Sequence, residues 1–503
     1  MKITRRILRP VAALGSGLGV GLAQPDWGIW PLAFIALVPA FWAMHGVGFR
    51  GRIALGWWLG TAATMTTPWL PGAEGFSSYF GLSGLAGGLA ALAVAQLFGA
   101  GSMMFFAGLA GDGGGGAVRG ALRMAGAWIA AEWLRATLFT GLPWMLLAYS
   151  LQPVPHLAQL ASIGGVLTVS GALVLCNAAT AHLFNGSPRK AVWTVWAIGL
   201  ALLVVPMSRT LGPISEGQVV LDPKGMKTGT GSTLRVSLVQ GAFPADRRYQ
   251  PGGTAEALGR LASETRALGP ADLVVWPESS MNAVWPENQH VLVHAMRSMA
   301  TSWLLFGAPR AENGRVYNSA VLVGPGAVPS GAHDKVRLLP FAERFPWPFS
   351  LRPGDLSAGD SARGLDLGTT RIGPLICYEI LFEDLARYQV SQGAGILVNL
   401  SNEAWFYSKR AMRQNLAAAV FRSIELNRPI LRATNTGLTA AIDSRGRVVA
   451  QLPPERLGGL AVRVRPASEH TVYYRFGYAI PAAISIWVAV LATVRALKGR
   501  AGS

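Results

Sequence analysis

Charge is scarce in this chain of 503 residues: only 14% is Asp, Glu, Lys or Arg, against 51% hydrophobic. That balance excludes an ordinary soluble enzyme of this size and indicates a membrane protein. Acids are rarest in the first 209 residues, where only Asp26, Glu74, Asp112 and Glu132 occur. Leu234 to Pro466, by contrast, alternates strands, helices and charged loops as a globular domain does. Cysteine is almost absent as well. Cys176 lies in an apolar run and Cys377 in the globular part, which excludes a disulfide framework and leaves one packing residue and one candidate thiol. No Gly-Lys-Ser/Thr follows the glycine run Gly113 to Gly116, so it is a flexible loop and not a phosphate cradle. The net charge of +18 does not indicate nucleic acid, because the basic residues are not gathered with interleaved aromatics on one segment. His290 and His294 stand at i,i+4 without a third ligand of recognisable spacing, so no metal and no other cofactor is expected.

Long apolar runs are what the chain has in plenty. Seven candidate spans lie near Val11 to Ala23, Trp30 to His45, Ile53 to Leu70, Phe80 to Ala110, Val118 to Phe139, Leu157 to Phe184 and Val192 to Met207, and an eighth near Tyr478 to Leu497. Most approach the roughly 20 apolar residues that cross a bilayer. The first reads as an anchor and not a signal peptide, since no small-residue cleavage site precedes Pro25 and a second span follows at once. The fourth, long enough to be tilted or broken, reads as one span. Short cytoplasmic loops collect Lys and Arg, and here every second connection is basic. Lys2, Arg5, Arg6 and Arg9, then Arg50 and Arg52, Arg119, Arg189 and Lys190, and finally Arg495, Lys498 and Arg500 mark one side. The loops around Asp26 and Glu74 carry acid and no base. Both termini are therefore expected in the cytoplasm, with Arg209 to Phe476 on the opposite side. The domain plan is 1–209 with seven transmembrane helices, 210–476 as an extracytoplasmic catalytic domain, and 477–503 as a last helix and tail. Glu132 and Arg135, at i,i+3 in the fifth span, read either as a mutually neutralising pair or as a substrate contact.

From Leu234 the pattern is strand, helix, strand over Arg235 to Gln240, Ala255 to Leu268 and Asp272 to Trp276, which indicates an α/β domain. Three polar residues then stand at strand ends or in the loops beyond, where catalytic groups of such sheets gather. Glu278 follows Trp276-Pro277, where proline stops the ladder; Lys335 follows His333-Asp334; Cys377 ends the strand Arg371 to Ile376 and opens Tyr378-Glu379-Ile380. Each alone is a weak signal. A strand-to-helix elbow at Cys377 is expected to lower the thiol pKa and favour the thiolate. Together a carboxylate, an ammonium and a thiol form an acyl-transfer set: base, oxyanion stabiliser and nucleophile.

At these residues the chain resembles the nitrilase, or carbon-nitrogen hydrolase, superfamily, and with its spans it is similar to the apolipoprotein N-acyltransferases, the membrane branch of that superfamily. The resemblance covers Val239-Gln240-Gly241, Trp276-Pro277-Glu278, Lys335 with Leu339-Pro340-Phe341-Ala342-Glu343, Ile376-Cys377-Tyr378-Glu379, Ser401-Asn402-Glu403-Ala404-Trp405-Phe406 and Arg432-Ala433-Thr434-Asn435-Thr436-Gly437. Glu132-Trp133-Leu134-Arg135 and Phe139-Thr140-Gly141-Leu142-Pro143-Trp144 carry it into the membrane part. It implies a membrane α-helical bundle of eight transmembrane helices plus an α/β, nitrilase-like αββα sandwich, in a bacterial inner membrane. It also implies a phospholipid that acylates Cys377 and a diacylglyceryl-modified apolipoprotein whose terminal α-amine accepts the chain. Glu278 is then the base and Lys335 the oxyanion stabiliser, with Tyr378, Glu379, Asn402 and Trp405 supporting the site or binding substrate. Glu343 either supports the chemistry or only pairs with Lys335.

The chain departs from the family at Glu403, where Asp is usual, at Tyr407, where Gly is usual, and at Tyr249, which stands for a Trp. Alternative readings are a membrane-anchored nitrilase-type amidase that sends its thioester to water, an auxiliary paralogue with another acceptor, and a transporter or inactive scaffold. Transporters often show internal repeats, and none is visible in this sequence.

Overall fold

In the computed structural model the chain forms two compact units, Met1–Gly212 with Val472–Ser503, and Pro213–Thr471. The structure describes residues 2–66, 83–111, 116–138, 141–213, 216–222, 233–244, 247, 250, 252–287, 289–297, 301–339, 343, 356–406, 409–488 and 490, without the side chains of 2–6, 291, 294, 295, 297, 405 and 406.

The first unit is helical. Its main elements are α1 (Lys2–Ala23), α2 (Val38–Met44), α3 (Phe49–Met65), α4 (Gly84–Ala110), α5 (Ala117–Thr137), α6 (Val166–Phe184) and α7 (Arg189–Val204). Small residues let their backbones touch, as membrane helices without an aqueous driving force require. A Cβ at Gly17 would stand 2.2 Å from the Leu59 carbonyl oxygen, and one at Gly56 would stand 2.4 Å from that of Met103. The long fourth run is one helix that passes through a π-helical turn at Gln96–Ala100. Gly84–Ala110, Val166–Phe184 and Arg189–Thr210 are long and apolar enough to cross a membrane, whereas Ile7–Ala23, Trp30–Met44 and Ala479–Val488 are shorter apolar helices.

Two expected spans differ from continuous helices, for identifiable reasons. Near Trp30 to His45 the chain forms a 3-10 turn, Trp30–Phe34, then α2 with Pro39 in its first turn. Proline has no N–H and disfavours helix in the residue before it, so the chain breaks between these pieces. The freed groups find side-chain partners: Leu37 N–H donates to Asn177 Oδ1 at 2.8 Å, Asn177 Nδ2 donates to the Ala33 carbonyl at 2.8 Å, and Ala40 N–H donates to Ser16 Oγ at 2.8 Å. The run from Leu157 breaks at Gly165, whose φ is +81°, and α6 starts beyond it. Glu132 and Arg135 of α5 each meet backbone of the following segment. Glu132 Oε1 accepts from Leu147 N–H at 2.7 Å and Arg135 Nη2 donates to the Met145 carbonyl at 3.2 Å. Irregular backbone is tolerated at membrane depth only where such groups are met internally.

The second unit is a four-layer α/β sandwich. Its strands are β1 (Val219–Leu221), β2 (Leu234–Gln240), β3 (Ala271–Val275), β4 (Thr301–Glu312), β5 (Arg315–Val323), β6 (Pro329–Asp334), β7 (Leu365–Asp366), β8 (Arg371–Ile376), β9 (Ala394–Ser401), β10 (Ile430–Thr434), β11 (Ala440–Ile442), β12 (Val448–Gln451) and β13 (Gly458–Val464). They form one sheet of order β1-β13-β2-β3-β4-β5-β6 and another of order β12-β11-β10-β9-β8-β7. Apolar faces of both sheets meet in a core that includes Val236, Leu273, Leu305, Ile372, Val398 and Leu431. On the outer face of the first sheet, Leu258 and Leu261 of α8 (Gly253–Leu268) and Leu292 of α9 (Gln289–Arg297) pack with Val274, Leu304 and Phe306. Helices α10 (Glu383–Ser391) and α11 (Lys409–Leu426) pack against β8, β9 and β10 of the second sheet. Strands β2, β3 and β4 run parallel, β5 reverses and β6 reverses again, so β3 and β6 end at one edge.

Candidate active site

Glu278 stands three residues beyond β3. Pro277 cannot continue the ladder, and the chain turns through Ser279 at φ +52°. Beneath this turn Gly307 of β4 donates its N–H to the Pro277 carbonyl at 3.1 Å, and a Cβ there would stand 2.5 Å from Glu278 Cα. Only glycine lets β4 support Glu278 backbone to backbone. Lys335 directly follows β6, and its N–H donates to the Asn318 carbonyl of β5 at 2.8 Å, extending the ladder by one residue. Cys377 directly follows β8 with φ +51°. An L residue adopts that conformation at a cost of about 1–3 kcal/mol, and such positions concentrate at functional sites.

The side chains of Glu278, Lys335 and Glu343 converge. Lys335, only 2% exposed, donates from Nζ to Glu343 Oε1 at 2.9 Å and to Glu278 Oε1 at 3.3 Å. Burial alone would lower the ammonium pKa, but Glu278 and Glu343 outweigh it and hold the group well above its usual range. Asn318 Nδ2 donates to Glu278 Oε1 at 2.8 Å and to Glu343 Oε1 at 2.9 Å. The remaining carboxylate oxygens accept backbone N–H groups, Glu278 Oε2 from Asn402 at 2.8 Å and Glu343 Oε2 from Leu339 at 2.7 Å. Glu343 thus contacts Lys335 and shares a donor with Glu278. Asn402 is held in turn, its Oδ1 accepting from Asn435 Nδ2 at 3.1 Å.

The Cys377 thiol is buried close enough to feel Glu278 and Lys335. Burial pushes its pKa well above the ordinary thiol range, Glu278 adds to the rise and Lys335 only partly offsets it. The expected lowering is therefore corrected. The element that Cys377 opens is a five-residue 3-10 turn, Cys377–Leu381, too short for much of a helix dipole, and desolvation dominates. These causes favour the protonated thiol over the thiolate.

Glu379 ties the two key loops together. Its Oε1 accepts from Val336 N–H at 2.6 Å and Arg337 N–H at 3.2 Å, just after Lys335, while Oε2 accepts from Ile376 N–H at 2.8 Å, just before Cys377. His333 Nε2 lies 3.0 Å from the same Oε2, and Arg363 N–H donates to His333 Nδ1 at 3.2 Å. That donor leaves the neutral tautomer with its proton on Nε2, directed at Glu379. Burial works against the Glu379 carboxylate, yet His333 and the backbone donors hold its pKa below the ordinary value. Tyr378 is buried with its ring edge-on to Phe382 at 4.8 Å.

Trp405 sits in the 3-10 turn Glu403–Phe406, but its side chain lies outside the described residues. So do Tyr249, Tyr407 and the aromatic segment from Phe345 to Phe349. Glu403 is fully buried, its Oε1 accepting from Asn415 Nδ2 at 2.8 Å and Arg432 Nη2 at 2.9 Å. Among the described residues no three His, Cys, Asp or Glu gather as a metal site. Asn318 and Gly307 escape the sequence reading. Their only signal is a polar pair, Asn318-Ser319, inside an apolar strand and a glycine directly after Leu304-Leu305-Phe306.

The sequence matches the carbon-nitrogen hydrolase family over residues 235–472 and the apolipoprotein N-acyltransferase N-terminal domain family over residues 16–179. It is 32% identical over 370 residues to an apolipoprotein N-acyltransferase of Geobacter metallireducens, a match that covers 70% of this chain and 69% of that protein. With an apolipoprotein N-acyltransferase of Ralstonia nicotianae the identity is 33% over 402 residues, 76% of this chain and 72% of the other. A carbon-nitrogen hydrolase from Helicobacter pylori G27 superimposes with a TM-score of 0.37 at 15% identity, covering 46% of this chain and 89% of that one.

Proposed function

The chain belongs to the apolipoprotein N-acyltransferase family and is an acyltransferase of the nitrilase superfamily, and from that premise we propose a two-step transfer carried by Glu278, Lys335 and Cys377. The donor is a phospholipid and the acceptor is the α-amino group of a diacylglyceryl-modified N-terminal cysteine. Glu278 takes the thiol proton as Sγ attacks the ester carbonyl, because the buried thiol does not ionise unaided. Lys335 stabilises the oxyanion of the tetrahedral intermediate as a permanent charge. Collapse breaks the ester C–O bond, Glu278 returns the proton to the lysophospholipid alcohol, and the acyl group stays on Cys377 as a thioester. The amine then attacks the thioester, loses a proton to Glu278 and leaves as an amide, and the proton restores the thiol.

The observation that carries this reading is the buried Lys335 ammonium, 3.3 Å from Glu278 and 2.9 Å from Glu343, with the buried Cys377 thiol close enough to feel both Glu278 and Lys335. Glu343, Tyr378, Glu379 and Asn402 support the site in this scheme, and Trp405 contributes to substrate binding. We place the 210–476 domain outside the cytoplasm, with both termini inside and the 1–209 and 477–503 segments in the inner membrane, on the alternation of basic loops.

Incubation of the detergent-purified protein with labelled phospholipid, with and without a diacylglyceryl lipopeptide, tests the reaction. Label should appear on Cys377 alone, be released by neutral hydroxylamine and pass to the peptide amine. Label retained in folded Cys377→Ala protein would remove Cys377 from the nucleophile role, and release of free fatty acid regardless of peptide would make the enzyme a hydrolase.

A further inference from the structure

We propose that Asn318 is a positioning residue for this site, holding Glu278 and Glu343 on either side of Lys335 through a single side-chain amide. The inference rests on the reading of Glu278, Lys335 and Cys377 as the reacting groups. One ammonium stands between two carboxylates, both within 3.3 Å of Nζ. The like charges of the two carboxylates repel, and with Glu278 Oε2 held by Asn402 N–H at 2.8 Å, Oε1 without Asn318 would have Lys335 as its one remaining partner among the described residues. Asn318 adds to the ammonium a second, uncharged donor for each carboxylate: one N–H to Glu278 at 2.8 Å and one to Glu343 at 2.9 Å. The amide orientation is set by chemistry, because its oxygen facing two carboxylates would be repelled.

The strand register explains why the residue stands there. Lys335 N–H bonds to the Asn318 carbonyl, so Asn318 and Lys335 are neighbours across adjacent strands, and their side chains reach the same pair of carboxylates. Asn318 does not touch the thiol in this arrangement; it acts through Glu278.

Packing and charge predict opposite orders for two variants. Asp is the closer match in shape, whereas Leu is neutral and lacks the donors. If Asn318 merely fills space, Asn318→Asp is the milder change. If it holds two carboxylates together, Asn318→Asp is the worse one at about pH 9, where the added group is ionised, and Asn318→Leu is intermediate. The rate of Cys377 alkylation by iodoacetamide, followed by mass spectrometry of the Cys377 peptide, reads this without any lipid. Losing hydrogen bonds to charged groups should slow alkylation about ten- to hundred-fold in Asn318→Leu and further in Asn318→Asp, and acyl-enzyme formation should follow the same order with the phospholipid KM unchanged. Asn318→Ser serves as the neutral variant if Asn318→Leu does not fold. Equal rates, or Asn318→Asp faster than both neutral variants in folded protein, would overturn the proposal. Should alkylation follow the expected order while no lipid acylates Cys377, the positioning role stands and the proposed donor falls.

Discussion

At the scale of single residues, the site is built from groups that would each be costly alone. Lys335 is an ammonium with almost no access to water, and Glu278 and Glu343 are carboxylates under the same roof; each makes the others tolerable. Glu278→Gln keeps the shape but loses the proton acceptor, and Lys335→Met keeps the stem but loses the charge. Each should lower acyl-enzyme formation by about 10² to 10³, the usual effect of removing one oxyanion donor or base. Quenched-flow labelling with phospholipid checks this, and a folded variant of near-normal rate would take that residue out of the mechanism. The types Glu, Lys and Cys at strand ends were legible in the sequence because strand ends are where sequence pattern and chemistry coincide. The thiol's protonation state was not, because it depends on desolvation and on Glu278, more than ninety positions earlier in the chain. Asn318 was equally hidden, as its role exists only once β5 lies beside β6.

At the scale of elements, close backbone approach decides where function sits. Gly307→Ala would drive a methyl group to within 2.5 Å of Glu278 Cα and 2.6 Å of Ser279 N, so the turn carrying Glu278 must move. Overpacking of this kind costs about 1–3 kcal/mol, and activity should fall further than stability does. Gly259→Ala on α8, where an added Cβ meets nothing within 4 Å, should instead leave activity intact and stabilise by up to about 1 kcal/mol. Thermal unfolding and turnover of the two variants check the contrast; equal activity would show that the Glu278 turn tolerates displacement. In the helical unit, Glu132→Leu leaves the Leu147 N–H without its acceptor, at about 1–3 kcal/mol, whereas Glu132→Gln keeps one. Heat-induced aggregation in detergent should therefore begin earlier in Glu132→Leu than in Glu132→Gln, and identical onsets would deny Glu132 that structural role. The strand–helix–strand start follows from the apolar pattern, and the single span of the long fourth run from the alternation of basic loops. The breaks before α2 and at Gly165 do not, since Asn177 and Ser16 that make the first possible are remote in sequence and apolarity alone averages over both.

At the scale of the whole molecule, the alternation of basic loops sets a testable orientation. Single cysteines introduced on exposed loops of 210–471 into a chain lacking Cys176 and Cys377 should react with a membrane-impermeant maleimide added to spheroplasts, and reaction only after lysis would invert the topology. On that orientation the resting state of Cys377 acquires a second meaning. Outside the cytoplasm the surroundings oxidise thiols, and the form that peroxides and disulfides attack is the thiolate. In the proposed mechanism burial disfavours the Cys377 thiolate until Glu278 takes the proton, which would shield the thiol from that attack between turnovers. Hydrogen peroxide should accordingly inactivate the resting enzyme much more slowly than it oxidises free cysteine at the same pH, with sulfenic acid at Cys377 as the measured product. Equal rates would mean that the thiol ionises at rest after all. On the proposed orientation and mechanism, the burial that makes Cys377 depend on its base is also what would let a lone cysteine persist in an oxidising compartment.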